Sequence, residues 1–310
     1  MSDEVHVRKR EAGDRTDRSY PAPPQPLDVP VYDNHTHLEY ADGDSPIGYL
    51  EHLDRASSVG VRGVVQVGTD VETSRWSAEM AAKEPRMLAA VAIHPNDTPE
   101  LDRSGTLDDS LAEIAELATR PRVRAVGETG LDFFRTDETG RDAQFRAFEA
   151  HIAIAKENGL ALQIHDRDAH REVVETLLRV GAPERTVFHC FSGDRELAEL
   201  CAEHGWYMSF AGTVTFKNAA PLRDALEAVP RQLLLVETDA PYLTPTPNRG
   251  RPNAPYLLPY TVRGMAEHLG TDAGILSALI ASNTELVYGS WDDEPPLADP
   301  GSEAARVEAS

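Results

Sequence analysis

The chain has 310 residues and 41% apolar content, enough for one large domain, two ordinary ones, or a single barrel of about 250 residues. Its net charge of −22 disfavours generic nucleic-acid binding, so a nucleic-acid substrate would need a local basic patch. No run approaches the ~20 apolar residues of a membrane span, and the two cysteines, Cys190 and Cys201, cannot make a disulfide framework.

Met1-Ser2-Asp3-Glu4 offers no apolar signal-peptide region, which predicts a cytoplasmic, reduced protein. Lys9, Lys83, Lys156 and Lys217 are the only lysines among 30 basic residues, against 52 acidic ones. An acid-rich, lysine-poor chain suits a high-salt, halophilic cytoplasm, where a short Debye length screens self-repulsion.

Residues 1–29 mix charges with Pro21, Pro23, Pro24 and Pro26 and show no apolar periodicity, which predicts a disordered N-terminal extension. From residue 30 to 290, short apolar runs alternate with amphipathic stretches. Strands are expected near Val29–Asp33, Gly63–Val67, Met87–Ile93, Val123–Gly127, Ala161–His165, Thr186–His189, Trp206–Phe210 and Leu233–Glu237. Several are nearly continuous in apolar residues, as strands buried on both faces should be. Helices are expected over 72–83, 107–119, 140–158, 168–180, 194–204, 219–228, 257–269 and 272–288. Residues 291–310 read as an acidic, disordered tail. Eight strands alternating with helices predict an α/β fold of the TIM type, a single (β/α)8 barrel domain.

In such barrels the chemistry sits at the C-terminal ends of the strands. Strand one ends in His35-Thr36-His37, whose i, i+2 spacing aims both imidazoles to one side. Strand four ends in Gly127-Glu128-Thr129-Gly130-Leu131-Asp132, strand five in His165-Asp166-Arg167, and strand six in His189-Cys190-Phe191-Ser192-Gly193. Strand eight ends in Glu237-Thr238-Asp239-Ala240-Pro241. Singly, each histidine reads as structural and each carboxylate as a cap. Together His35, His37, Glu128, His165, His189 and Asp239 form one ring of nitrogen and oxygen donors. That is too many for one tetrahedral ion but suits two divalent ions about 3.5–4 Å apart, with Glu128 able to bridge. Without cysteine in the ring, magnesium, manganese and zinc are all open.

These strings resemble the TatD-type metal-dependent deoxyribonucleases of the amidohydrolase superfamily, over residues 31 to 290. His-Cys-Phe-Ser-Gly (189–193) and Glu-Thr-Asp-Ala-Pro-Tyr-Leu (237–243) carry the resemblance most specifically. It implies a TIM barrel with His35, His37, Glu128 and Asp239 on one metal, and Glu128, His165 and His189 on the second. It also implies removal of nucleotides from single-stranded DNA ends, in the 3′–5′ sense. Two departures stand out. Thr129 takes a position usually held by Ile, Cys or Val. Arg251-Pro252-Asn253-Ala254-Pro255 replaces Arg-Asn-Glu-Pro in a loop expected to touch substrate.

The expected chemistry is phosphoester hydrolysis by a water that the cations acidify. Asp239 is the candidate to orient that water or accept its proton. Arg167 and one of Arg249 or Arg251 are expected to donate to phosphoryl oxygens, and His94 to contact the phosphate or leaving group. Asp33 is a candidate to orient an imidazole. Tyr242, Phe133 and Phe134 are candidates to stack on a base. Ser192 lacks a nucleophile elbow and reads as a turn residue, and Cys190 reads as packing. The competing activity is amide or carboxyl-ester hydrolysis by the same centre, on a small molecule or an aminoacyl end; a basic rim favours phosphoesters and an apolar rim the alternative. A barrel retained only for interaction would have no reason to keep six ligand positions. The protein is expected to act as a monomer, without a membrane partner.

Overall fold

The computed structural model describes residues 7–10 and 17–292. Eight strands form one parallel sheet in strictly sequential order: β1 (Val31–Thr36), β2 (Val61–Val67), β3 (Met87–Val91), β4 (Val123–Asp132), β5 (Ala161–Arg167), β6 (Thr186–Phe188), β7 (Tyr207–Phe210) and β8 (Leu234–Val236). The sheet curls until its ends meet. Thr36 bridges Ala240 in parallel, the His35 carbonyl accepts from Asp239 N at 3.0 Å, and the Ala240 carbonyl from His37 N at 2.8 Å. The (β/α)8 barrel is therefore as expected, with each strand within a few residues of its reading. β4 is the exception: it runs on to Asp132 because residues 129–132 pair with β5 from Ile164 to Arg167.

Among the described residues, ten α-helices surround the strands: α1 (Tyr49–Ser58), α2 (Val71–Lys83), α3 (Thr98–Ser104), α4 (Leu107–Leu117), α5 (Arg141–Asn158), α6 (His170–Val180), α7 (Arg195–Glu203), α8 (Ala220–Ala228), α9 (Leu258–His268) and α10 (Ala273–Tyr288). The sequence pattern did not reveal α1 and α3. Asp70 starts α2 with a capping box to Thr73, and Gly159 ends α5 at a φ of 60° that glycine adopts without steric cost. Val64, Ala89, Val91, Val126 and Leu162 face outward into the layer between strands and helices. Val65, Val67, Leu88, Ala90, Ala125, Val187 and Leu235 fill the interior with Tyr288 and Trp291. The period-two alternation of β2 and β3 divides these two cores.

Trp291 stacks on Tyr32 with ring centroids 4.0 Å apart and leaves no room for a side chain at Gly63, whose Cβ would lie 2.6 Å from the indole nitrogen. The start of the expected tail is thus a buried plug at the foot of the barrel; residues 293–310 lie outside the described residues. At the other end of the chain, residues 1–6 and 11–16 lie outside them too. The segments 7–10 and 17–29, expected to be disordered, make specific contacts. Arg8 and Lys9 pair with Tyr40 and Ala41, Tyr256 donates to the Pro21 carbonyl at 2.7 Å, and Leu27 is buried. Prolines without periodicity hid these contacts because the partners lie far away in sequence. Among the described residues, no helix is long and apolar enough to cross a membrane.

Candidate metal centre

All six predicted donors meet at the mouth of the barrel: five line a cavity of about 490 Å³, and His35 lies buried behind them with its Nε2 3.3 Å from that of His37. Glu128 comes from β4, His35 from β1 and His165 from β5; His37, His189 and Asp239 follow β1, β6 and β8. The close approach of β4 and β5 depends on Gly130, where a Cβ would fall 2.1 Å from the His165 carbonyl oxygen. Cys190 and Asp239 hold positive φ angles of 43° and 52°. Non-glycine residues bear that strain most often at functional sites.

The two oxygens of Glu128 face different groups. Oε2 lies 3.7 Å from Nε2 of both His35 and His37. Asp239 Oδ1 is 3.9 Å from His35 Nε2 and 3.5 Å from His37 Nε2, and the two Nε2 atoms are 3.3 Å apart. A tetrahedron with bonds near 2.0–2.2 Å has edges of about 3.3–3.6 Å, so this set is spaced to share one ion. Its chemistry fits as well. His37 Nδ1 faces the Val67 carbonyl at 2.9 Å, an acceptor only, so Nδ1 carries the proton and the neutral ring turns a lone pair inward. In that neutral form the lone pair meets those of Glu128, Asp239 and His35 in a buried space, a convergence that only a proton or a cation can relieve. Burial opposes charge on His37, but Asp239, Glu39 and Glu128 prevail and push its pKa up to about 10. A cation relieves the same convergence by displacing that proton.

Oε1 faces the other set, His165 Nδ1 at 2.6 Å, His189 Nε2 at 2.8 Å and His94 Nε2 at 3.4 Å. His165 offers its other nitrogen to Asp132 Oδ2 at 3.1 Å, and His189 its own to Glu237 Oε1 at 3.1 Å. Carboxylates behind ligand histidines fix the tautomer and raise basicity. Burial lowers the pKa of both rings, yet Asp132 and Glu128 raise that of His165, and Glu128 and Glu237 that of His189. Glu128 itself is held well below the usual carboxylate range: burial is outweighed by His189, His94 and His165. The contacts of Glu128 Oε1 with His165 and His189 have the lengths of charge-assisted hydrogen bonds. Both donor sets could hold a divalent ion, the second after Glu128 Oε1 parts from His165 and His189 by about 0.5–1 Å to reach the same tetrahedral edges.

His94 differs from the ligand histidines by its tautomer. Its Nδ1 accepts from Asn96 N at 3.1 Å, which leaves the proton of the neutral ring on Nε2, pointing at Glu128. It stands as a proton donor toward the centre.

Arg167 lines the cavity as expected, together with Arg8 and Arg135. Arg249 and Arg251 are not among the residues that line it, and each is engaged elsewhere. Arg251 is spent on Asp17, on Ser19 and on the Tyr20 carbonyl, and Arg249 stacks on Phe216 at 4.1 Å. The 251–255 loop braces the backbone beside the candidate centre. Asn253 Nδ2 donates to the carbonyls of Thr238 and Tyr242, at 2.9 and 2.5 Å, on either side of Asp239. Asp33 does not reach an imidazole. It accepts from Thr238 N at 2.9 Å and Thr238 Oγ1 at 2.5 Å, tying β1 to the end of β8. Thr129 does more than pack, for its hydroxyl meets His151 Nδ1 at 2.8 Å.

Of the stacking candidates, Tyr242 lines the cavity. Phe134 stands exposed under Arg167 at 4.0 Å, and Phe133 packs on Arg141 and Phe145. Ser192 lines the cavity and donates to the Asp166 carbonyl at 3.2 Å, a contact between the ends of β5 and β6 and not within a turn. Burial and then Asp239, Glu237 and Glu128 push the Cys190 thiol well up, so it is a poor nucleophile. Asp132 and Glu237 belong to the motif strings, which by themselves assign them no role. The signal for Asp132 was there, since 128 and 132 share a face of an extended strand.

Comparison with known proteins agrees with this geometry. The family profile described as TatD related DNase matches residues 32–289. An uncharacterized metal-dependent hydrolase TatD of Mycobacterium tuberculosis is 42% identical over 263 residues, covering 84% of this chain and 98% of that protein. A 3'-5' ssDNA/RNA exonuclease TatD of Escherichia fergusonii is 35% identical over 244 residues, covering 76% and 91%. The crystal structure of YJJV, a TatD homolog from Escherichia coli K12, superposes with a TM-score of 0.74 at 27% identity, over 84% of this chain and 98% of that one. The chain therefore belongs to the TatD related DNase family of metal-dependent hydrolases.

Proposed function

We propose that the protein is a phosphodiesterase with two divalent ions, magnesium, manganese or zinc, that removes nucleotides from the 3′ end of single-stranded nucleic acid. The observation that carries this reading is Glu128, with one oxygen turned to His35 and His37 and the other to His165 and His189. Ions bound on both sides would acidify water and neutralise charge on the phosphoryl oxygens. The protein's own groups supply the rest. Asp239, whose side chain keeps 14% exposure, is placed to orient the attacking water and take its proton. His94 turns Nε2–H toward the centre, where it can hydrogen-bond a phosphoryl oxygen or the leaving oxygen. Arg167 and Arg135 offer further donors.

The arginines on the cavity wall favour a phosphoester over an amide or carboxyl ester, which would be better served by an apolar wall. The activity named for the Escherichia fergusonii relative supports the nucleic-acid substrate and the 3′–5′ direction. The test is release of mononucleotides from single-stranded DNA with manganese or magnesium, at low and high salt, beside Glu128→Ala. Metal-dependent release by the wild type alone is expected. Release in no condition would defeat the nuclease reading, and equal release by Glu128→Ala would defeat the proposed centre.

A further inference from the structure

The cavity has one wall that the barrel does not make. Residues 7–10 lie outside the family match, which begins at residue 32, yet they form a two-residue parallel ribbon with Tyr40 and Ala41, just past His37. Arg8 N donates to the Glu39 carbonyl at 3.2 Å, and Arg10 N to the Ala41 carbonyl at 3.1 Å. The Arg8 side chain is held by Tyr40 Oη at 3.2 Å, Thr69 Oγ1 at 2.9 Å and the Asp70 carboxylate. Arg10 bonds the Pro241 carbonyl and Asp42 and lies over the Tyr242 ring at 4.4 Å. The arm is thus pinned across the β1–β2 side of the mouth.

Arg8 lines the same cavity as the metal donors. Its guanidinium carries five N–H groups in a fixed fork. Three are used by Tyr40, Thr69 and Asp70, which among the described residues leaves two donors on a side chain whose orientation is already set. Arg135 and Arg167 enter the cavity from β4 and β5, and Arg8 from β1 and β2. A chain of phosphates crossing the centre would meet a cation on each side.

Resting on the phosphodiesterase reading, we propose that the N-terminal arm completes the substrate site, and that Arg8 positions a second phosphate, one removed from the scissile group. This makes Arg8 a determinant of substrate length. It acts on binding of oligonucleotides and not on the bond broken. Its pairing with Asp70 tempers its charge, so the expected effect is on affinity, with the rate of the bound substrate unchanged.

The experiment measures binding of phosphorothioate-linked single-stranded thymidine dimer and tetramer to the metal-loaded full chain, by fluorescence anisotropy over a range of salt. Arg8→Ala should weaken the tetramer about tenfold, leave the dimer within about twofold, and reduce the slope of log affinity against log salt by ~0.7, the value for one phosphate contact on a single strand. Arg8→Lys should restore the slope. Equal losses on both probes with an unchanged slope, or a lower melting temperature with unchanged binding, would show that the arm is only a structural strap and overturn the proposal. Wild type that binds neither probe would instead sink the nuclease reading, and this inference with it.

Discussion

The two sides of Glu128 solve one problem differently. On the Oε2 side, His35, His37 and Asp239 stand 3.3 to 3.9 Å apart, already near the edges of a metal tetrahedron. Their rings have thin support: the Val67 carbonyl holds His37, and His35 Nδ1 has no partner among the described residues. On the Oε1 side, His165 and His189 are drawn to hydrogen-bond distance of the glutamate and backed by Asp132 and Glu237. The first side is spaced in advance and the second is charged in advance. The seam explains the spacing, because the first set straddles the β1–β8 closure, where Asp33, Thr238 and Asn253 fix the backbone. An ion should bind more readily where no ligand has to move, so two unequal steps are expected in a metal titration.

Removing the shared group should break both sides at once. Glu128→Ala is expected to cost about 10³-fold or more in kcat/KM and to abolish both steps of a calorimetric metal titration. One step surviving with full affinity would mean that the carboxylate is not shared. Asp239→Asn should damage the Oε2 side alone, with a loss of about 10²–10³-fold in kcat, as for removal of a general base. It should leave the weaker titration step in place; a loss under tenfold would remove Asp239 from the proton-accepting role.

Smaller effects should follow from the supports. Asp132→Asn or Glu237→Gln keeps every direct donor and is expected to lower metal affinity about 10- to 100-fold, confined to the weaker step. If the tighter step moves instead, the assignment of sides is reversed. Smallest is Thr129→Val, behind β4, which strands His151 Nδ1 and should cost about 1–2 kcal/mol of stability in denaturant unfolding with little change in activity. His151 gives that region a pH signature too. Burial pushes its pKa down to about 3, below the unfolded value of about 6.5. Between those values the unfolded chain binds a proton that the folded chain does not. The His151 contribution to stability should therefore fall as pH drops from about 6.5, by roughly 1.4 kcal/mol per unit, and His151→Asn should flatten that limb.

The barrel and its six candidate donors were legible because strands buried on both faces read as apolar runs, and five of the eight runs stopped at a histidine or carboxylate. What supports them was not. Asp132 and Glu237 looked like any polar residue in a motif, since their role depends on which nitrogen of a ring they meet. The donor character of His94 rests on one backbone N–H two residues on. Where Arg251 and Arg8 point depends on contacts that no local pattern carries. Arg251 turns to the N-terminal segment at Asp17 and Ser19, while Arg8, in a stretch with no periodicity, is steered into the cavity by pairing across 32 positions with Tyr40.

The most direct test of a shared Glu128 is a crystal structure of the manganese-loaded protein with anomalous scattering. Two peaks about 3.5–4 Å apart, each bound by a different oxygen of Glu128, with His35, His37 and Asp239 on one and His165 and His189 on the other, are predicted. A single peak, or two that do not meet at Glu128, would contradict the account.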